Sequence, residues 1–385
     1  MVLDLRGLEV TSATVDGETA TTQADAQTLT VALPGEVATG EAFQVAVNYH
    51  GQPQPVPTDA LGGIEVGWHS GAGGSIVMSE PEGASSWFPV NNHPLDKATY
   101  TIAVNVPKPL VAVSNGRLEE TEDLDSTRTF HWVMDKPMAN YLATVITGDL
   151  EEDKSGTVDG VAFSSWLPAG SALDANGLDG SSAVAALAEK LGPFPFDTYG
   201  AVVYTEDFAT GSEQTRQFIG GVALEAQGRS LYSEHSLIAP TLVHETAHQW
   251  MGDNVSLTDW SRDIWWIEGF ARFAETAIPA GDRKLTAADF AEAAQSCGDG
   301  TAGDIPVGEL FSTRSYSCGA LVFYALYREV GADAFWSILR EFNSRFRYAN
   351  ASTDDLILVA STYTERDLGP FFRTWLFAEE RPPLP

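Results

Sequence analysis

Two periodicities divide the chain. Up to about residue 150, large apolar residues recur at every second position. Leu29, Val31 and Leu33 form one such series, Phe43, Val45 and Val47 a second, and Ile102, Val104 and Val106 a third. A period of two puts these side chains on one face of a half-buried strand. Asp16-Gly17, Pro34-Gly35 and Asn115-Gly116 supply turns between strands. The pattern predicts an antiparallel β-sandwich or saddle-shaped sheet over residues 1–150.

The pattern then changes. Residues 151–180 form a Gly-, Asp- and Ser-rich transition with one strand-like piece at 161–166. A helix is predicted over 181–191, closed by Gly192-Pro193. Strands are predicted at 199–204 and 220–225. Helical spacing takes over after Ser233. The run 236–251 carries Leu237, Ile238, Leu242, Val243, Ala247, Trp250 and Met251 on one side. Further helical runs lie at 264–275, 320–326 and 371–376, and Pro382-Pro383-Leu384-Pro385 cannot extend a helix. The expectation is an α+β protein of two domains, a β domain at 1–150 and a mostly helical domain at 151–385.

The run 236–251 contains His244-Glu245-Thr246-Ala247-His248. On a helix, positions i and i+4 lie one turn apart on the same face. His244 and His248 can therefore offer two imidazoles to one zinc ion, with Glu245 beside them as general base. Burying two histidines and a glutamate without partners is costly, and a metal supplies the partner. Glu268, set among Trp265, Trp266, Ile267 and Phe270 on the next helical run, is the candidate third ligand. Three protein ligands leave a fourth position for water. Glu275, two turns on from Glu268, is a candidate partner for a ligand histidine. A solvated helix-face glutamate is the competing reading. Trp250, Trp260, Trp265 and Trp266 are read as core and given no role.

Composition narrows the function classes. The chain has 385 residues, 44% of them hydrophobic, and a formal net charge of −31. That charge argues against nucleic acid and anionic membrane surfaces as partners. No run of apolar residues is long enough to span a membrane, and no signal peptide is evident at the start. Two cysteines, Cys297 and Cys318, could form one bridge or stay as two thiols. A monomer is the default, and nothing in the sequence sets the oligomeric state.

His-Glu-x-x-His-Gln-Trp followed by Trp-x-x-Glu-Gly-Phe-Ala resembles the aminopeptidase N family of gluzincin zinc metallopeptidases. The stretches at 80–84, 87–89, 92–98 and 141–145 resemble the family's N-terminal domain. The second half looks like a thermolysin-like catalytic domain without the family's large helical C-terminal domain, as in compact bacterial members. The strands that usually precede a segment like Leu3-Asp4-Leu5-Arg6-Gly7-Leu8 are missing, which implies a trimmed chain or an open sheet edge.

The resemblance implies one Zn2+ per chain held by His244, His248 and Glu268, with Glu245 handling protons. It implies peptide substrates with a free N-terminus. Tyr316-Ser317-Cys318-Gly319-Ala320 looks like the stretch whose tyrosine stabilises the oxyanion, with Cys318 in place of a basic residue. That makes Tyr316 the candidate. Glu225, in Val222-Ala223-Leu224-Glu225-Ala226-Gln227, and Glu80 correspond to the residues that anchor the substrate's α-ammonium. One departure bears on the site. Residues 249–267 are one more than the family's usual spacing before the glutamate ligand. Absorbed in the loop, the extra residue is harmless; carried into the helix, it would turn Glu268 away by about 100°. A zinc endopeptidase on the same site and a catalytically degenerate scaffold are the competing readings. Family resemblance and acidity point to a secreted protein, and a cytoplasmic one fits the same residues.

Overall fold

The structure, a computed structural model, describes residues 1–171, 173 and 180–385. Residues 172 and 174–179, the end of the Gly-, Asp- and Ser-rich transition, lie outside the described residues.

The first half is built from antiparallel strand pairs. Glu9–Val15 turns into Glu18–Ala20 through Asp16 and Gly17, both with positive φ, as a tight hairpin requires. The predicted strands occur at Thr28–Val31, Val45–His50 and Ala98–Pro107. A five-stranded sheet runs in the order Val111–Ser114, Val145–Gly148, Gly74–Met78, Glu65–Ser70, Val56–Pro57. Asn115-Gly116 does not close a hairpin within one sheet. The strands before and after it belong to different sheets. The Asn115 amide is buried, donates to the carbonyls of Leu142 and Gln227, and accepts from the Thr144 N–H.

The second half opens on a six-stranded mixed sheet. Leu150–Val158 and Val161–Pro168 are antiparallel, and Val161–Pro168, Ala201–Tyr204 and Ser230–Ser233 run parallel. The short strand Ala223–Leu224 closes one edge, antiparallel to Ser230–Ser233. Helices follow, from Ala239–His248 to Gly369–Phe377. They enclose one apolar core around Trp265, Trp266, Phe270, Phe273 and Phe323, each of them 0% exposed. Trp250 joins that core, and Trp260 packs against it. No helix among the described residues is long and apolar enough to cross a membrane.

Two helix boundaries differ from the sequence expectation. The helix expected after Ser233 begins at Ala239, because Pro240 occupies the first turn and Ser233 and Ser236 bond to one another in a turn before it. The next helix begins at Trp260 rather than 264, capped by the Asp259 carboxylate on the Arg262 N–H.

Candidate active site

Two adjacent helices supply the metal-ligand candidates. Ala239–His248 carries His244, Glu245 and His248 on consecutive turns; Trp260–Ala280 carries Glu268 and Glu275. The His244 Nε2 lies 3.2 Å from Glu268 Oε2, and the His248 Nε2 lies 3.5 Å from the same oxygen. Glu268 therefore faces both imidazoles despite the extra residue. His244 Nδ1 donates to Glu275 Oε1 at 2.8 Å, and His248 Nδ1 donates to the Met251 carbonyl at 3.3 Å. Carboxylate and carbonyl oxygens only accept, so each Nδ1 carries a proton, and each Nε2 is the ring atom left to offer a lone pair to a cation set beside Glu268.

The donor set fits zinc. Ligand atoms held at roughly 2.0–2.1 Å by a tetrahedral ion lie roughly 3.3 Å apart, which is the spacing of these atoms. Their ligand atoms all fall within 4.8 Å of one another. Glu225, Glu245 and His248 also cluster within that span. That group shares a histidine with the first and has one nitrogen donor rather than two.

Buried charge shapes the site. Burial opposes a charged His244 ring, yet Glu268 and Glu275 hold its pKa well above the ordinary histidine value. Burial opposes charge on His248 too, and Glu225 and Glu268 raise its pKa. Burial would lift Glu268, but the two imidazoles pull it down to about 2. The same field favours any cation set between the two Nε2 atoms. Glu245 goes the other way. Burial lifts it to about 8 even against the pull of both histidines.

Tyr316 sits on a π-helical turn, Arg314–Cys318, its ring stacked 5.9 Å from that of His244. Burial raises its pKa well above the ordinary phenol value, so it keeps its proton. Cys318 is joined to Cys297 in a disulfide, which ties this turn to the helix Ala291–Cys297. That resolves the choice between bridge and thiols, and gives the residue at Cys318 a structural use.

Glu225 follows the edge strand Ala223–Leu224. Its Oε1 is enclosed and has no hydrogen-bond partner, and neither has the Oε1 of Glu80. Gln249, at the end of the metal-ligand helix, holds this segment. Its amide donates to the Glu225 carbonyl and accepts from the Gly228 N–H. A cleft of about 610 Å³ is lined by His244, Glu245, Glu275 and Tyr316. A second cavity of about 310 Å³ is lined by Glu80 and by apolar Leu61, Val66, Met78, Phe218 and Leu224. The two share Val222, Ala223, Phe311 and Tyr316.

The structure thus brings together His244, His248, Glu268, Glu245, Tyr316, Glu225 and Glu80. Glu275 belongs with them. Sequence reading missed Asp253, which is 0% exposed with both carboxylate oxygens unpartnered. Burial and Glu225 push its pKa well up, and Lys97 works against that rise. Asp253 follows the run 236–251 and opens a stretch that reads as a polar loop, so no signal in the sequence marked it as buried.

Fold and site together are those of the His-Glu-x-x-His class of zinc metallopeptidases. The chain belongs to peptidase family M1: residues 191–375 match the Peptidase family M1 domain, and residues 3–142 match the Peptidase M1 N-terminal domain. It is similar in structure to the M1 zinc metallopeptidase of Deinococcus radiodurans. That match has a TM-score of 0.86 at 28% identity and covers 100% of this chain and 87% of that one. A mutant of that enzyme is known with a Tyr-Ser-Ala substrate bound (TM-score 0.87, 28% identity, 100% and 88% covered). In sequence, it is 29% identical over 292 residues to Aminopeptidase N of Acetobacter pasteurianus, covering 70% of this chain and 79% of that protein. Aminopeptidase M1 of Arabidopsis thaliana is 24% identical over 328 residues, covering 78% of this chain and 36% of that protein. The chain thus spans only about a third of the length of several curated relatives, at 36% and 34% for two of them.

Proposed function

We propose that this chain is a zinc-dependent aminopeptidase that hydrolyses N-terminal residues from peptides, with 1–150 and 151–385 as its two domains. One observation carries the choice of an exopeptidase. Glu225, with an enclosed and unpartnered oxygen, clusters with Glu245 and His248, and Glu80, with another, lies within electrostatic reach of Glu225, Glu245 and Glu268. Burial raises the pKa of both groups, and that of Glu80, with Glu225 beside it, well above the ordinary carboxyl range; a substrate's α-ammonium offsets that cost and pairs with the ionised forms through charge-assisted hydrogen bonds. An internal peptide segment brings no charge to pair with them. The Tyr-Ser-Ala complex of the Deinococcus enzyme supports the same reading.

In this reading His244, His248 and Glu268 hold zinc. When bound, zinc supplies Lewis acidity, which polarises a carbonyl and acidifies water. Glu225 and Glu80 fix the amino terminus, which sets the scissile carbonyl beside Glu245. The Glu245 carboxylate takes a proton from the attacking water and passes it to the leaving amine. The protonated Tyr316 hydroxyl donates to the oxygen that gains charge. The first side chain enters the apolar cavity beyond Glu80. At about 310 Å³ it exceeds the roughly 150 Å³ that takes up a benzene ring. Phe, Leu and Met substrates are therefore favoured over Glu substrates.

The test is a panel of aminoacyl aminocoumarins, free and N-acetylated, run beside zinc quantification. The expected result is one zinc per chain, turnover of the free amines led by large apolar residues, and loss in Glu245→Gln. Equal turnover of N-acetylated substrates would instead establish the endopeptidase. Substoichiometric zinc without hydrolysis would establish a degenerate scaffold.

A further inference from the structure

Lys97 belongs to the first half of the chain, immediately before the strand Ala98–Pro107. Its half-buried side chain crosses into the second half. There the ammonium donates to the carbonyls of Asp253 (2.8 Å), Asn254 (3.1 Å) and Ala349 (3.1 Å). Burial pulls the Lys97 pKa down to about 7, against the pull of Asp253; three carbonyl acceptors call for three donors, which only the ammonium has, and all three are used. Asp253 and Asn254 lie in the turn that leaves the metal-ligand helix. That turn bonds back to the helix through Asp253 N–H to the His248 carbonyl and Asn254 N–H to the Gln249 carbonyl. It also includes the Met251 carbonyl that orients the His248 ring, and it follows directly on the helix end where Gln249 holds Glu225. The Lys97 charge also lowers the pKa of the buried Asp253 carboxyl, against the rise that burial and Glu225 impose.

We propose that Lys97 is a positioning residue. Planted from the N-terminal half in the turn 251–254, it fixes the orientation of His248 and the placement of Glu225, and so couples the β domain to the metal centre. A carbonyl orienting a ligand histidine commonly governs metal affinity, and three charge-assisted hydrogen bonds hold this one's neighbours in place. A turn that drifts releases the Met251 carbonyl from His248, and Gln249 from Glu225, together. The inference rests on His248 being a metal ligand.

The test compares Lys97→Met and Lys97→Arg with the native chain, each loaded with zinc. Zinc affinity is read by chelator competition, and kcat and KM are read separately on a free aminoacyl aminocoumarin. Lys97→Met is expected to lower zinc affinity about 10-fold or more and to raise KM through Glu225. Lys97→Arg, which keeps charge and donors, is expected to restore most of both. Should Lys97→Met not fold, Lys97→Gln, which loses the charge and one donor, takes its place with the same expectation. A folded variant of lower Tm with zinc affinity and KM within about twofold of native would overturn the proposal, leaving Lys97 a mere domain tie. A native chain that binds no zinc would defeat the ligand assignment instead, which keeps the two failures distinct.

Discussion

Gly269 and Gly319 meet across two packed helices with no room for a side chain on either. A Cβ on Gly269 would lie 2.5 Å from the Gly319 carbonyl carbon, and one on Gly319 would lie 2.5 Å from the Trp265 carbonyl oxygen. Gly269 adjoins Glu268, and Gly319 closes the turn that carries Tyr316. The contact therefore sets how closely the tyrosine approaches the metal-ligand group.

Gly269→Ala would gain roughly 0.5–1 kcal/mol of helix propensity. The clash is with backbone, which cannot swing aside, and overpacking of this kind costs about 1–3 kcal/mol. The variant is expected to unfold at lower denaturant and to lose kcat while retaining zinc. Denaturant melts with metal analysis check this. A stabilised, fully active variant would show that the helices can separate freely.

Glu275 accepts from His244 and pairs with Arg272. Replacing it by Gln keeps the shape and removes the charge. Zinc affinity or activity is expected to fall about 10- to 100-fold, as read by chelator competition. An unchanged affinity would return Glu275 to the solvated helix face.

Glu225→Ala and Glu80→Ala each remove one charge-assisted partner of the amino terminus. Such a bond is worth about 1.5–3 kcal/mol, so kcat/KM for free amines should fall roughly 10- to 100-fold for each. Zinc content should hold, since neither belongs to the His244, His248 and Glu268 ligand group. An equal fall in zinc content would mean that these carboxylates shape the metal centre instead.

Buried His69 predicts a stability change in mild acid. Burial lowers its pKa from 6.5 to about 4, against a partial offset from the Thr210 backbone and Glu65. The unfolded chain then takes up a proton from about pH 6.5 downward and the folded chain only from about 4, so stability is intact above the first value and drains away towards the second. The loss reaches roughly 2 kcal/mol by pH 5. His69→Gln should flatten this limb in denaturant melts at pH 7 and pH 5. A limb of the same slope would assign the acid sensitivity to the carboxylates.

The competing readings at several positions were settled by packing. Glu275 could be a solvated glutamate or a histidine partner in the linear pattern; the 2.8 Å contact to His244 Nδ1 makes it the partner. Cys297 and Cys318 are 21 residues apart in sequence, and only the approach of two helical segments makes them a bridge. The turn expected at Asn115-Gly116 became a crossing between sheets, because dipeptide preference describes local φ and ψ and not which sheet receives the next strand.

What the chain's linear order determined by itself is whatever repeats at the spacing of a helix or a strand. The i and i+4 histidines with their neighbouring glutamate share one helical face wherever that helix sits, and alternation marks the strands of the first half. Those are local consequences of 3.6 and 2 residues per turn. Tertiary structure alone decided that Glu268 faces both histidines despite one extra residue, that Asp253 is buried without a partner, and that Lys97 reaches across to the turn beside it. Each depends on where separate elements come to rest, which is set by the summed packing of a core and leaves no trace in any short window of sequence.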